Sequence, residues 1–253
     1  LDRQQIESIE NDSQNTLVIA GAGTGKTTTI IGKIKWILNN WLKNKSKTLP
    51  RILVISFTHA TRVELEKRVL AEVLENDEIF KIYHVSDFLR VETFHSLALK
   101  IMKSARQNKR AGPEKIKLSE VDFEDFLKQA RFNIPEEEAE VYDRLYYLMR
   151  NYHIEYQDLK RTNSTEYPWF WQKELRLKNL KQIQKMKGFE CKYKKEMASR
   201  GEVDFASFLE EAINSLTSIK NSARPEWFKT FCFDFVIIDE YQDISPLEYA
   251  LIR

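Results

Sequence analysis

Apolar residues along the chain follow two rhythms. Short apolar and β-branched runs at 16–20, 51–57, 91–94 and 231–239 predict buried strands, bounded by polar or glycine-rich turns. Between them, helical spacing takes over. In 26–43 the apolar positions are Ile30, Ile31, Ile34, Ile37, Leu38, Trp41 and Leu42, the stripe of an amphipathic helix, and a second helix is expected around 61–75. From about 105 to 200 the strand signals vanish. Val121, Phe123, Phe126, Leu127 and Ala130 make a helical stripe with Ser119 as its expected N-cap. Pro135 followed by Glu136, Glu137 and Glu138 predicts a helix start, and Tyr142, Leu145, Tyr146 and Met149 continue its apolar face. One or two long basic helices are expected over 169–200. Strands alternating with helices predict an α/β fold with a parallel sheet, interrupted by an all-helical insert.

Composition bounds the class. The chain has 253 residues, 42% of them apolar and 31% charged, enough for a sizeable core and for one large or two ordinary domains. Cys191 and Cys232 form no disulfide framework, so a reducing, cytoplasmic setting is the expectation. No run reaches the ~18 apolar residues of a membrane span. The chain starts at Leu1 and stops ten residues after Asp243, which reads as a segment of something longer.

Glycine is scarce, seven in all, yet Gly21, Gly23 and Gly25 fall within five residues. They lie between the 16–20 run and the 26–43 helix, in Ala20-Gly-Ala-Gly-Thr-Gly-Lys-Thr27. Strand, glycine loop, Lys-Thr and helix is the order of a phosphate-binding loop. Backbone N–H groups of Gly21, Ala22, Gly23, Thr24 and Gly25 and the helix N-terminus would face the anion. Lys26 would reach the outer phosphates, and the Thr27 hydroxyl would ligate Mg²⁺.

At the other end, the 231–239 run delivers Asp239-Glu240-Tyr241-Gln242-Asp243. Acidic residues at the C-terminal end of a buried parallel strand sit where open α/β sheets place their chemistry. Asp239 is positioned to hold a Mg²⁺ shell and Glu240 to orient and deprotonate a water. Gln242 joins them as a candidate catalytic residue. Asp239 lies 213 residues beyond Lys26, so a block is inserted between the two halves of the site.

Six segments together resemble the UvrD/Rep/PcrA group of superfamily 1 DNA helicases, in the family's order. Leu1-Asp-Arg-Gln-Gln5 is similar to the adenine-reading Q motif, with Gln5 in the glutamine position. Ala20–Thr27 is similar to motif I, followed by Thr28 near the adenine. Ile55-Ser-Phe-Thr-His59 resembles motif Ia, with His59 in place of asparagine. Val91-Glu-Thr-Phe-His-Ser96 resembles motif Ic, Val203-Asp-Phe-Ala-Ser-Phe-Leu209 motif Id, and Asp239–Asp243 motif II. The resemblance implies a RecA-like domain 1A (1–104 and 201–253) split by a helical subdomain 1B (105–200). It implies ATP and Mg²⁺ as cofactors, bound by Gln5, the loop, Lys26, Thr27, Thr28 and Asp239. It implies 3′→5′ translocation on single-stranded DNA with duplex unwinding, in repair or replication, and domains 2A and 2B elsewhere in the chain as partners. Phe57, Thr58, His59, Thr93 and His95 are the implied strand contacts; Phe94 leans to the core. Cationic fingers for phosphoryl transfer would come from motifs beyond Asp243, so the segment alone, a monomer by expectation, would bind more than it turns over.

The net charge of +2 hides segregation. Residues 113–143 carry a net −6 and residues 171–200 a net +7, the latter interleaved with Trp171, Phe189 and Tyr193. Basic residues with aromatics suit duplex contact, with Lys181, Lys185 and Lys192 the named candidates; a solvated helix face with its aromatics in the core fits the same pattern. Two other functions stay open: a helicase–nuclease subunit of the RecB/AddA type, and a nucleotide- and DNA-binding module without helicase activity. A GTPase or transport ATPase is remote, since neither a guanine-reading nor a Leu-Ser-Gly-Gly-Gln signature is present.

Overall fold

A computed structural model describes the whole chain apart from residues 22, 45–47, 75–82, 109–116, 120, 152–179 and 220–223. It is a mixed α/β structure with a small parallel sheet and many helices. Two compact units divide it, Leu1–Leu97 with Arg224–Asp243, and Ala98–Ala223 with Ile244–Arg253.

In the first unit, β1 (Ile52–Ile55) lies between β2 (Leu89–Glu92) and β5 (Phe235–Ile238), all parallel. The registers Ile52↔Leu89 and Ile52↔Phe235 align the strand starts, so all three C-terminal ends share one edge. All four β1 residues are buried, as expected of an unbroken apolar run with neighbours on both sides. Helix α2 (Lys26–Lys43) sets Ile31, Ile34, Ile37 and Leu38 against Ile52, Val54, Phe88, Leu89 and Val91 and against Leu65 and Val69 of α3 (His59–Val69). Burying side chains of this kind contributes roughly 1.5–3 kcal/mol each, so this layer anchors the loop preceding α2. Helix α1 (Arg3–Glu10) begins with a reciprocal cap between Asp2 and Gln5 and packs along α2.

Two expectations of buried strands fail here. Of the 231–239 run, β5 keeps only Phe235–Ile238, with Phe235 and Val236 exposed at the sheet's edge. Among the described residues, 16–20 pair with no strand, and Leu17, Val18 and Ile19 are exposed, Ile19 by 91%. An apolar run supplies a face for a strand but no hydrogen-bonding partner, and among the described residues this segment meets neither of the sheet's outer edges, on β2 and β5. The β2 boundary also moves. Thr93 and Phe94 leave the strand, because Thr93 and Ser96 exchange cap hydrogen bonds that open α5 (Phe94–Asn108). Phe94 itself is core, as its position suggested.

In the second unit, α6 (Phe123–Leu127), α7 (Glu136–Asn151) and α8 (Leu180–Ser199) enclose an aromatic core of Phe123, Phe126, Tyr142, Tyr146, Phe189 and Tyr193. Ser119 is not the cap of α6. Asp122 is, accepting the Asp125 N–H at 2.8 Å, while Ser119 is used by β3 (Lys117–Leu118), whose ladder it extends to Val203 O. That short strand pairs in parallel with β4 (Glu202–Val203), a ladder in a block expected to be all helical. Asp204 then caps α9 (Phe205–Thr217), and a Ser245–Glu248 capping box opens α11 (Pro246–Ile252), which packs on α7 and α9. Between them in sequence, α10 (Glu226–Lys229) belongs to the first unit.

Candidate nucleotide site at the strand ends

The glycine loop reaches α2 through Gly25, whose φ of +84° is open to glycine and costly for other residues. A Cβ at Gly25 would also lie 2.7 Å from the Gln5 amide nitrogen and displace that side chain. Gln5 donates through that nitrogen to the Thr24 carbonyl at 2.9 Å, which ties α1 to the loop. The Thr24 hydroxyl closes on the Gly21 carbonyl at 2.8 Å. Ala22 lies outside the described residues.

Lys26, the first residue of α2, meets Glu240 just past β5. Its ammonium donates to both carboxylate oxygens, at 2.7 and 2.9 Å, with about one third of each side chain exposed. This contact raises the Lys26 pKa above its ordinary value and holds that of Glu240 below the usual range, helped by a 2.6 Å hydrogen bond from Gln242. Glu240 adopts φ +51°, a left-handed backbone uncommon outside glycine. Asp239 continues the sheet by donating its N–H to Ile55 O at 2.9 Å and accepts the Glu240 N–H at 3.1 Å. Burial, followed by the neighbouring Glu240 charge, raises the Asp239 pKa. A partly buried acid beside a second carboxylate favours a cation, and Asp239 is a hard oxygen donor of the kind Mg²⁺ takes; Thr27 is the second residue of α2. The second hydroxyl of the loop helix, on Thr28, accepts from Arg68 of α3 at 3.4 Å.

The same sheet edge carries the expected strand contacts. Phe57 follows β1 and is 52% exposed. Thr58 caps α3, and His59, its first residue, lies 3.3 Å from an Arg62 guanidinium nitrogen. Thr93 is held by Ser96. His95 keeps an exposed face, yet the atoms crowded around its ring desolvate it and lower its pKa to about 4. It is therefore neutral at pH 7 and would meet a phosphate as a hydrogen-bonding group.

The basic segment is a different case. Phe189 and Tyr193 are 8% and 2% exposed, inside the aromatic core, so they are not available to bases. Lys185 pairs with Glu138 at 3.0 Å and Lys192 lies over the Phe132 and Phe189 rings, both keeping solvent-exposed surface. The Lys181 side chain, Trp169 and Trp171 fall outside the described residues. Two supporting side chains escaped the pattern: Arg68, which reaches Thr28, and Lys33, whose ammonium donates to Ile9 O at 3.0 Å and Asn11 O at 2.5 Å at the end of α1. Arg68 stands four residues before Glu72 on one helical face, a spacing visible in the sequence; nothing local points to Lys33.

Comparison with known proteins completes the picture. Residues 1–253 match the UvrD/REP helicase N-terminal domain family. A probable DNA helicase II homolog of Mycoplasma capricolum is 26% identical over 266 residues, covering all of this chain and 32% of that protein. The ATP-dependent DNA helicase PcrA of Staphylococcus epidermidis is 24% identical across the whole chain, over 31% of its own length. One chain of an ATP-dependent helicase/nuclease from Clostridium beijerinckii is 29% identical over 108 residues, 40% of this chain and 8% of that one. The chain thus spans about a third of the helicase II and PcrA relatives that it matches. With its whole length matched, the chain belongs to the UvrD/REP helicase N-terminal domain family.

Proposed function

We propose that the chain is the ATP-binding part of a DNA helicase that moves 3′→5′ along single-stranded DNA and unwinds duplex in repair or replication. The Lys26–Glu240 contact carries this reading, because it brings a phosphate-loop lysine and the acidic end of a strand together from 214 positions apart. Relatives named DNA helicase over the full chain favour it above the helicase/nuclease alternative, whose likeness is confined to 40% of the chain. In this assignment, residues 1–104 and 201–253 are a RecA-like domain 1A and residues 105–200 a helical subdomain 1B.

The residues divide the work. Gln5 reads the base. Lys26 and the amides of the glycine loop neutralise the phosphates, and Thr28, held by Arg68, lies toward the adenine. Glu240 orients the attacking water and accepts its proton, a role open to it only once Lys26 has turned to phosphate. Gln242 steadies the Glu240 carboxylate. Thr27 and Asp239 would hold Mg²⁺, which supplies charge neutralisation at the phosphates when bound. Phe57, Thr58, His59, Thr93 and His95 are proposed to meet the single strand at the same edge.

Nucleotide binding and turnover separate the helicase reading from a binding module. A fluorescent ATP analogue should bind this chain with Mg²⁺, and Lys26→Met should weaken binding at least tenfold. Glu240→Gln should leave binding within about threefold of wild type and reduce DNA-stimulated hydrolysis by the longer protein 10²-fold or more, as expected of a general base. Robust DNA-stimulated turnover by this chain alone would remove the module reading. No ATP binding at all would remove both.

A further inference from the structure

The parallel sheet has a second end, away from the glycine loop, and that end holds a half-buried guanidinium with no hydrogen-bond acceptor among the described residues. A cleft of about 200 Å³ opens where the strands begin, lined among others by Arg51, Asp87, Arg90, Glu226, Lys229 and Phe233. That volume is below the ~300–1,000 Å³ of pockets that enclose whole small-molecule ligands; it has room for a single side chain. Four of the five charged groups lining it already have partners. Asp87 accepts the His84 N–H at 3.1 Å, Glu226 and Lys229 pair with each other at 2.8 Å, and Arg51 donates to the carbonyls of Lys229 and Thr230. Arg90 is half-buried, and among the described residues its guanidinium has no hydrogen-bond acceptor. It rests near the Phe231 and Phe233 rings, 5.6 and 5.9 Å from their centroids, and Arg51 sits 5.5 Å from the Phe233 centroid as well. Two guanidinium groups thus share one ring, and burial and the Arg51 charge work against the Arg90 charge more than the Glu92 carboxylate works for it. A desolvated cation without an acceptor is costly, and an anion between the two arginines would relieve both the desolvation and their repulsion.

We propose that this cleft is a carboxylate-binding pocket that receives one acidic side chain of a partner peptide, gripped by Arg90. The planar, five-donor guanidinium matches a carboxylate in a two-point fork. A phosphate dianion or a DNA strand fits less well, since Asp87 and Glu226 line the same cleft and repel a larger negative charge more strongly. The pocket lies at the opposite strand ends from Lys26 and Glu240, so the proposal does not depend on the nucleotide reading.

Titrating the isotope-labelled chain with acetyl-Ala-Glu-Ala-amide, followed by backbone amide shifts, tests it. Saturable shifts are expected at 51–52, 88–91 and 233, at least tenfold weaker with the Gln counterpart of the peptide. Arg90→Met should weaken binding at least tenfold. Arg90→Lys, which keeps the charge and the fold but loses the fork, should weaken it several-fold. Equal response to the Glu and Gln peptides would overturn the proposal. So would undiminished binding by either folded variant, or shifts of the same amides by inorganic phosphate or a thymidine oligonucleotide at lower concentration than the peptide.

Discussion

Lys26 and Glu240 neutralise each other across the candidate site, and the sign of each pKa shift says when. Glu240 is held low, so its contribution to stability is present above the ordinary glutamate pKa and is lost as pH falls through its lowered value. Lys26 is raised, so its contribution persists below the ordinary lysine pKa and is lost as pH rises through its raised value. The pair is therefore closed across the neutral range, and a triphosphate must open it. Asp143 behaves in the opposite sense. Burial, then the charges of Asp122 and Glu124, push its carboxyl up to about 6. A raised acid favours folding below the ordinary aspartate pKa and loses that contribution as pH rises through 6. Asp143→Asn should accordingly raise the melting temperature at pH 7.5 and leave it nearly unchanged at pH 3.5, measured calorimetrically. At this scale the sequence was most readable where chemistry is local. Gly25 and the Asp239-Glu240 pair announce themselves by residue type and spacing. The Lys26–Glu240 hydrogen bond and the left-handed φ of Glu240 depend on partners far along the chain, and no local pattern encodes them.

Among the elements, α1 illustrates how a short helix is held in place. An eight-residue helix is marginal alone, but this one is fastened at both ends: Gln5 to the Thr24 carbonyl, and its C-terminal carbonyls to Lys33 of α2. Ile9 lies over Gly32, close enough that a Cβ there would come within 2.4 Å of its Cδ1, and the Lys33 ammonium also sits 3.9 Å over the Trp36 ring. Lys33→Met keeps the side-chain length and removes the donor. It should lower hydrogen-exchange protection in Arg3–Glu10 by roughly ten- to a hundredfold, corresponding to the ~1.5–3 kcal/mol of a charged hydrogen bond, while the amides of β1 keep theirs. Element types were legible where periodicity was long: 26–43 was expected as a helix and is one, because four isoleucine and leucine side chains on one face had a sheet to cover. The 16–20 run and the Ser119 cap were misread for a shared reason. A strand needs a partner edge, and a capping side chain serves whichever backbone it meets; both are settled by neighbours outside the reading window.

For the whole molecule, charge is arranged by segment, and the average of +2 conceals it. Phe189 and Tyr193 of the basic helix face inward while Lys185, Lys187, Lys192 and Lys195 keep exposed surface, so a contribution of these lysines to duplex binding would be electrostatic. Replacing Lys181, Lys185 and Lys192 by Gln in the longer protein should reduce the slope of log affinity against log salt by about 0.9 for each phosphate no longer neutralised, with little change in sequence preference. An unchanged slope would assign these lysines to solubility and to the Glu138 pairing alone. The family was legible from six short motifs because each is a local stretch. The arrangement that makes them a site was not, since it rests on strand pairing across 183 positions, from Ile52 to Phe235.

That separation bears on how the chain is made. Synthesis at ~5–20 residues per second leaves roughly 10–40 s between completion of β1 and arrival of β5. During that interval the Ile-Leu-Val-Ile strand can pair with β2 on one side only, and its other edge stands open as a template for any passing strand. Such a sheet closes late and rewards its loop-closure cost only at the end. The nascent chain thus carries, for that interval, an open apolar strand edge that the finished sheet covers.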